Sequence, residues 1–355
     1  MDYLSSKSNT NEHFDESVLN HLSSCLDCRG CETVCPSGVN YHIALEGTWE
    51  QISFENKKSS FLSKMILFSI KNPIIMKVIF KLVKVSKSLL KGKFLKLFGQ
   101  NIAQNIRSLP TKKSKIMSGF YSGNKPNKGT IGLFTGCLMS VMYPKVHSAS
   151  LNVIRYLGYN VFIPDDDLCC GALHRHDGDI KSARYLLDKT MKSFSDVDTV
   201  VVNSAGCGVE LKDRLDGMVP EIMDFTEFVF KNNLSVKNKL NINALWDHPC
   251  HLIHGQKISY EPKQLLEHIG VNLVDFNQSE LCCGAAGNYM NNHPEYSQNI
   301  LDIKMDEIEK LDFNTIITAN PGCQLQLQKG VNQRKLPLEV AHIAEILNLA
   351  ISKNA

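Results

Sequence analysis

From residue 129 onward, short runs of apolar and β-branched residues alternate with longer stretches in which apolar positions recur every three or four residues. Thr130 to Phe134, Asn160 to Ile163 and Thr199 to Asn203 have the length and composition of buried strands. Ala244 to Trp246, Val271 to Phe276 and Thr315 to Ala319 repeat them in the same order. Between these runs, Asp179 to Phe194 and Pro294 to Leu311 read as helices. Strand and helix alternating at this spacing predict parallel βαβ units, so the chain reads as α/β with two pseudo-repeated parallel-sheet domains, 129–235 and 236–355.

Upstream the pattern changes. Residues 73 to 98 predict a helix: Pro73 suits a first turn, and Lys77, Lys81, Lys84 and Lys91 fall within roughly 80° of one another at 100° per residue. Val78, Leu82, Val85 and Leu89 lie away from that stripe. The stretch 57–128 is therefore a basic amphipathic helical linker. From Asn56 to Pro164 there is no Asp or Glu against 19 Lys and Arg, while the rest of the chain carries 20 against 36. The near-zero total of +3 thus hides a basic block in an acidic protein. Lysine recurs too often for any apolar run to reach the ~20 residues a bilayer span needs. Such a helix either lies on an anionic membrane surface, at the inner face of the cell membrane, or packs on its own protein, and both readings stay open.

At 355 residues the chain has room for two or three domains with cores of their own. The apolar share of 43% and charged share of 21% are globular, which excludes a disordered or fibrous protein, and bulk charge predicts no nucleic-acid partner. The polar, acidic start MDYLSSKSNTNEHFDE has no positive region followed by an apolar core, so the expectation is a cytoplasmic protein. Twelve cysteines in a reducing compartment point to metal or redox chemistry rather than disulfides.

Four of them form Cys25-Leu-Asp-Cys28-Arg-Gly-Cys31-Glu-Thr-Val-Cys35-Pro36, the C-x2-C-x2-C-x3-C-P run of bacterial ferredoxins. Two-residue gaps let one loop wrap three thiolates round a cluster, so residues 1–56 read as a small helical ferredoxin-type 4Fe-4S segment. Four-thiolate zinc sites usually separate two C-x2-C pairs by a long loop instead. The other eight repeat: Cys137, Cys169, Cys170 and Cys207 are echoed by Cys250, Cys282, Cys283 and Cys323 at offsets of 113, 113, 113 and 116. Each pair is followed by a glycine, and every cysteine comes just past a predicted strand, where the loops of a parallel sheet gather. Four thiols per repeat could therefore converge on one pocket, holding iron or zinc. Gly171 and Gly284 would let the backbone approach the inorganic core and donate N–H groups to it.

His248, His251 and His254 surround Cys250, but Pro249 interrupts them and the first repeat has no equivalent, so they stay outside the ligand set with His174 and His176. No phosphate-binding or dinucleotide loop and no activated nucleophile is evident, so substrate chemistry is assigned to another subunit.

These motifs resemble a known family, the proteins with duplicated cysteine-rich CCG domains, and within it the iron–sulfur subunits of bacterial glycolate oxidases. The resemblance runs from about His21 to the C-terminus and is most specific at Cys25 to Val39, Leu281 to Tyr289 and Thr318 to Cys323. It implies all twelve cysteines as ligands: one 4Fe-4S cluster at the N-terminal run and one per CCG repeat. It also implies no flavin on this chain, FAD-containing catalytic subunits as partners, glycolate as substrate, and electrons passed toward membrane quinone. Two departures matter. The related heterodisulfide reductase pattern has a further Cys three residues after the last of each repeat, where this chain has Glu210 and Gln326. The glycolate subunits carry two ferredoxin runs, and the single one here is similar to the second. By the shared-ligand rule Cys35 would then serve another cluster, and closure in cis, a thiol from another chain and a labile cluster all remain open.

Overall fold

In the computed structural model of the chain, residues 15–52, 60–89, 100–110, 116–124, 127–166 and 168–353 are described, with the side chains of 84–89 and 100–101 left out. Two open sheets carry the second half of the chain. Strands β1 (Gly119–Tyr121), β2 (Thr130–Phe134), β3 (Asn160–Ile163), β4 (Thr199–Val202) and β5 (Glu221–Asp224) form the first, in the order β1-β3-β2-β4-β5. Strands β6 (Ile242–Trp246), β7 (Val271–Leu273), β8 (Thr315–Thr318) and β9 (Glu339–His342) form the second, in the order β7-β6-β8-β9. Apart from antiparallel β1 on β3, the pairings are parallel. The predicted α/β repeat is thus present, with matching strand order in both halves.

The differences from the sequence pattern have local causes. The expected strand 271–276 ends at Leu273, because the chain turns off so that Phe276 can bury in the second core. β5 and β9 were not anticipated: Glu-Ile-Met-Asp and Glu-Val-Ala-His each offer only two apolar residues between polar ends. The 57–128 stretch is not all linker, since its β1 adds to the first sheet.

Each sheet keeps a core on one face, Phe134, Phe194 and Val200 in the first repeat and Leu245, Leu301 and Ile316 in the second. A third core joins the repeats: the helix Pro144–Tyr156 lies against the helix Ile343–Ser352, burying Val153, Ile154, Ala344 and Leu347 together. The halves therefore fold as one body.

The N-terminal third forms a helical layer over the seam. The helix Phe61–Lys71 bridges the repeats, with Ser63 Oγ donating to Asn292 Oδ1 at 2.7 Å and Lys71 Nζ to Ser182 Oγ at 2.9 Å. The predicted basic helix spans Pro73–Leu89, and Lys91 with the remainder falls outside the described residues. Of the apolar residues that lie away from the lysine stripe, Val78 and Leu82 are not the buried ones, and the side chains of Val85 and Leu89 fall outside those described. Met76, Ile79, Phe80 and Val83 face inward, whereas Val78 and Leu82 are exposed beside Lys77 and Lys81.

After each cysteine pair the chain turns through a left-handed glycine, Gly171 at φ +91° and Gly284 at φ +81°. A Cβ there would sit 2.6 Å from the carbonyl oxygen of Ala183 or Ser297 in the following helix. The glycines thus serve helix packing. Gly284→Ala should lower stability by about 2–4 kcal/mol, through backbone strain plus overpacking. Gly38→Ala, also left-handed but in open space, should cost only about 1 kcal/mol. Urea denaturation of both variants checks this; equal losses would remove the helix contact as the cause.

Candidate metal centre

The strand ends deliver the thiols. In the first repeat Cys137 follows β2, the pair Cys169 and Cys170 follows β3, and Cys207 lies in the first turn of the helix Ala205–Leu215 after β4. Cys250, Cys282, Cys283 and Cys323 follow β6, β7 and β8 in the same way, Cys323 in the first turn of the helix Pro321–Arg334. Within each repeat the sulfurs form a chain. Cys137 and Cys169 are 3.5 Å apart and Cys170 is hydrogen-bonded to Cys207; Cys250 is hydrogen-bonded to Cys282, and Cys283 and Cys323 are 3.2 Å apart, all as free thiols.

The two repeats meet at these ends. Ala205 N donates to the carbonyl of Ala319 at 3.2 Å, and Gly206 N to Asn320 Oδ1 at 3.2 Å. The expected pocket per repeat is consequently one shared cavity of about 420 Å³, lined by all eight repeat cysteines. Its roof is the apolar inner face of the helical layer, with Leu62, Ile66, Ile79, Phe80 and Ile106.

Hydrogen bonding to Cys169 and to Cys170 respectively, and then burial, push the Cys170 and Cys207 thiols up. Cys282 is driven the other way, by hydrogen bonds from Cys250, Cys283 and the Gly284 amide and by the Lys304 cation. Gly284 N donates to Cys282 Sγ at 3.4 Å.

The Cys25–Cys35 run docks against the second repeat. Asp27 and Arg29 adopt left-handed backbone, at φ 50° and 61°, which folds the two-residue gaps tightly. Burial pushes the Cys25 and Cys28 thiols up, and Cys28 and Cys31 lie near enough to Cys25, and Cys282 to Cys28, to add to the rise. Cys35 is half-buried, and the amides of Val39, Ser37 and Gly38 hold its thiol below the ordinary range, whereas Cys31 is the exposed cysteine of the run.

The histidines left out of the ligand set do the docking. His251 Nε2 is 2.9 Å from the Asp27 carbonyl, and His254 Nδ1 is 2.9 Å from Thr33 Oγ1. Both belong to a π-helical turn, His251–Gly255, a local irregularity common at functional sites. His176 of the first repeat lies 3.6 Å from Asp27 Oδ2, so this loop touches both repeats. Arg29 pairs with Asp213 at 2.5 Å and Tyr289 Oη donates to the Ser24 carbonyl at 3.2 Å. His248 is buried against Trp246, and desolvation with the Lys263 and Lys304 charges pushes its pKa down to about 3. His174 is buried beside the first pair.

Glu210 and Gln326 explain their own departure from the related pattern. Glu210 is buried and binds Arg175 at 2.6 Å, while Gln326 Nε2 donates to Ser297 Oγ at 2.9 Å. Sequence reading missed the buried pair of Lys304 and Asp247 behind the second repeat's thiols. Its signal was available: Lys304 interrupts the apolar row Leu301, Met305 and Ile308.

Among the described residues, no three His, Cys, Asp or Glu side chains gather tightly enough to chelate a single metal ion. The repeat thiols instead ring a cavity, and eight thiols around one space fit iron–sulfur clusters.

Comparison with known proteins agrees. The cysteine-rich domain family, CCG, matches twice, at residues 131–212 and 244–328. The probable glycolate oxidase iron–sulfur subunit of Bacillus subtilis is 31% identical, over 94% of this chain and 83% of its own length. The glycolate oxidase iron–sulfur subunit of Escherichia coli is 28% identical over the same shares. The lactate utilization protein A of Geobacillus kaustophilus is 29% identical over 61% of this chain and 98% of its own length. Two matched cysteine-rich domains on one chain, with similarity to these subunits running through the N-terminal segment, place the protein in the CCG family of iron–sulfur subunits that includes those of the bacterial glycolate oxidases.

Proposed function

We propose that this chain is the non-catalytic electron-transfer subunit of a glycolate-oxidising complex. A flavin-bearing partner would oxidise glycolate to glyoxylate, and this chain would carry the electrons onward toward membrane quinone. The observation that carries the reading is the convergence of eight thiols on one roofed cavity with the ferredoxin-type run docked beside it. Bound iron–sulfur clusters would supply one-electron storage and transfer. Cys137, Cys169, Cys170 and Cys207 would hold one, Cys250, Cys282, Cys283 and Cys323 a second, and Cys25, Cys28 and Cys31 the N-terminal one. By the shared-ligand rule Cys35 would be the ligand that a two-run ferredoxin gives to its other cluster. The apolar roof covers one side of the cavity, and His251 and His254 hold the N-terminal run against the second repeat.

Similarity to a lactate utilization protein supports a second reading, in which the acid is lactate. Turnover of the assembled complex on each acid separates the two.

Membrane contact belongs to the same proposal. Among the described residues no helix is long and apolar enough to cross a bilayer. The outer face of the helical layer nonetheless exposes Phe61 at 79%, Phe68 at 59%, Ile74 at 78% and Leu82 at 63%, interleaved with Lys64, Lys77 and Lys81. Apolar residues on both faces of a helix call for cover on both, and lysines without acids favour anionic lipid.

Three measurements test this. After anaerobic purification the protein should carry about eight to twelve irons per chain with matching sulfide; zinc without sulfide would leave only a structural scaffold. Cys28→Ser should lose about a third of the iron and Cys35→Ser distinctly less, whereas equal losses would put Cys35 in the same cluster. Replacing Lys77, Lys81, Lys84 and Lys91 by Glu should weaken sedimentation with anionic vesicles at least tenfold. Binding unchanged by that substitution or by salt would end the membrane reading.

A further inference from the structure

The repeats share a thiol geometry but differ in what stands behind it. The contacts of Gly171 with Ala183 and of Gly284 with Ser297 bring the two following helices into register. Thr190 and Lys304, each seven residues further along, therefore occupy matching places. Thr190 Oγ1 donates to the Cys169 carbonyl at 2.8 Å and accepts from the Cys169 amide at 3.0 Å. Lys304 Nζ instead donates to the carbonyl of Leu281, next to Cys282, at 2.6 Å, and is paired with Asp247. Asp247 stands three residues before Cys250, where the first repeat has Phe134 before Cys137, buried in apolar core. A neutral Thr and Phe in one repeat thus correspond to a fully buried ion pair in the other.

The first repeat shows that the fold does not need the charges, and burying an ion pair is a weak source of stability. The pair is oriented. Lys304 grips the loop that carries Cys282, and its cation acts on Cys282, Cys283 and Cys323. Asp247 is held by Thr318 Oγ1 at 3.1 Å. A fixed positive charge in a dry site favours whichever state of its neighbour carries the extra electron.

We propose that Lys304 is a positioning residue that makes the second repeat's thiol site a stronger electron acceptor than the first's, so that electrons settle beside the N-terminal run. The inference rests on the electron-transfer reading above. The step is a single-electron exchange: the first site is oxidised as the second is reduced, with no bond made and no proton moved.

The test is a redox titration of the full-length, iron-loaded protein followed by electron paramagnetic resonance. Lys304→Gln with Asp247→Asn removes both charges while keeping a donor toward the Leu281 carbonyl; Lys304→Met with Asp247→Leu is the apolar counterpart should the first fold poorly. One midpoint should fall so that its reduced fraction drops at least tenfold, about 59 mV for a one-electron couple, with the others unmoved. Thr190→Val should not move that midpoint. Full iron content with every midpoint at its wild-type value in either double variant would overturn the role of Lys304. Wild-type protein without iron and sulfide would instead defeat the electron-transfer reading itself.

Discussion

The structure depends on one geometric constraint: the carboxyl ends of two parallel sheets face each other across a backbone seam. Ala205 bonds Ala319 and Gly206 bonds Asn320 where β4 and β8 end, and the paired helices 144–156 and 343–352 fix that approach from below. Loops at strand ends are the one place in such a sheet where distant residues converge. Placing two sets face to face turns eight cysteines scattered between 137 and 323 into the lining of one space.

Much of this was legible in the sequence, because parallel strands are short continuous apolar runs and the duplication doubled the signal. Thr130–Phe134 and Asn160–Ile163 match their sequence boundaries, and each repeat cysteine lies just past a strand as anticipated. Strands such as Glu221–Asp224 escaped because two apolar residues make no pattern. Tertiary facts escaped for a different reason. That both repeats line one cavity, that the glycines answer to a neighbouring helix, and that His251 and His254 reach residues more than 220 positions away are properties of the packed molecule. Periodicity carries no trace of them.

Duplication also explains why asymmetry is tolerated. With backbone turns and thiol order preserved in both halves, side chains one layer back can diverge without disturbing the ligand geometry. Phe134 and Thr190 on one side and Asp247 and Lys304 on the other are such a divergence. The N-terminal run adds a further asymmetry by touching the first repeat through His176 while keeping its cysteines nearest the second.

The helical layer over the cavity has a consequence for biosynthesis. The helices Phe61–Lys71 and Pro73–Leu89 leave the ribosome before the strands they cover, yet side chains of this layer such as Ile66, Phe80 and Ile106 line the cavity together with Met139, Cys207 and Leu325. A nascent chain synthesised from the N-terminus therefore carries an apolar segment with neither side satisfied until the second repeat has emerged. The layer is made before the sheets it covers and can be fully buried only once both are present.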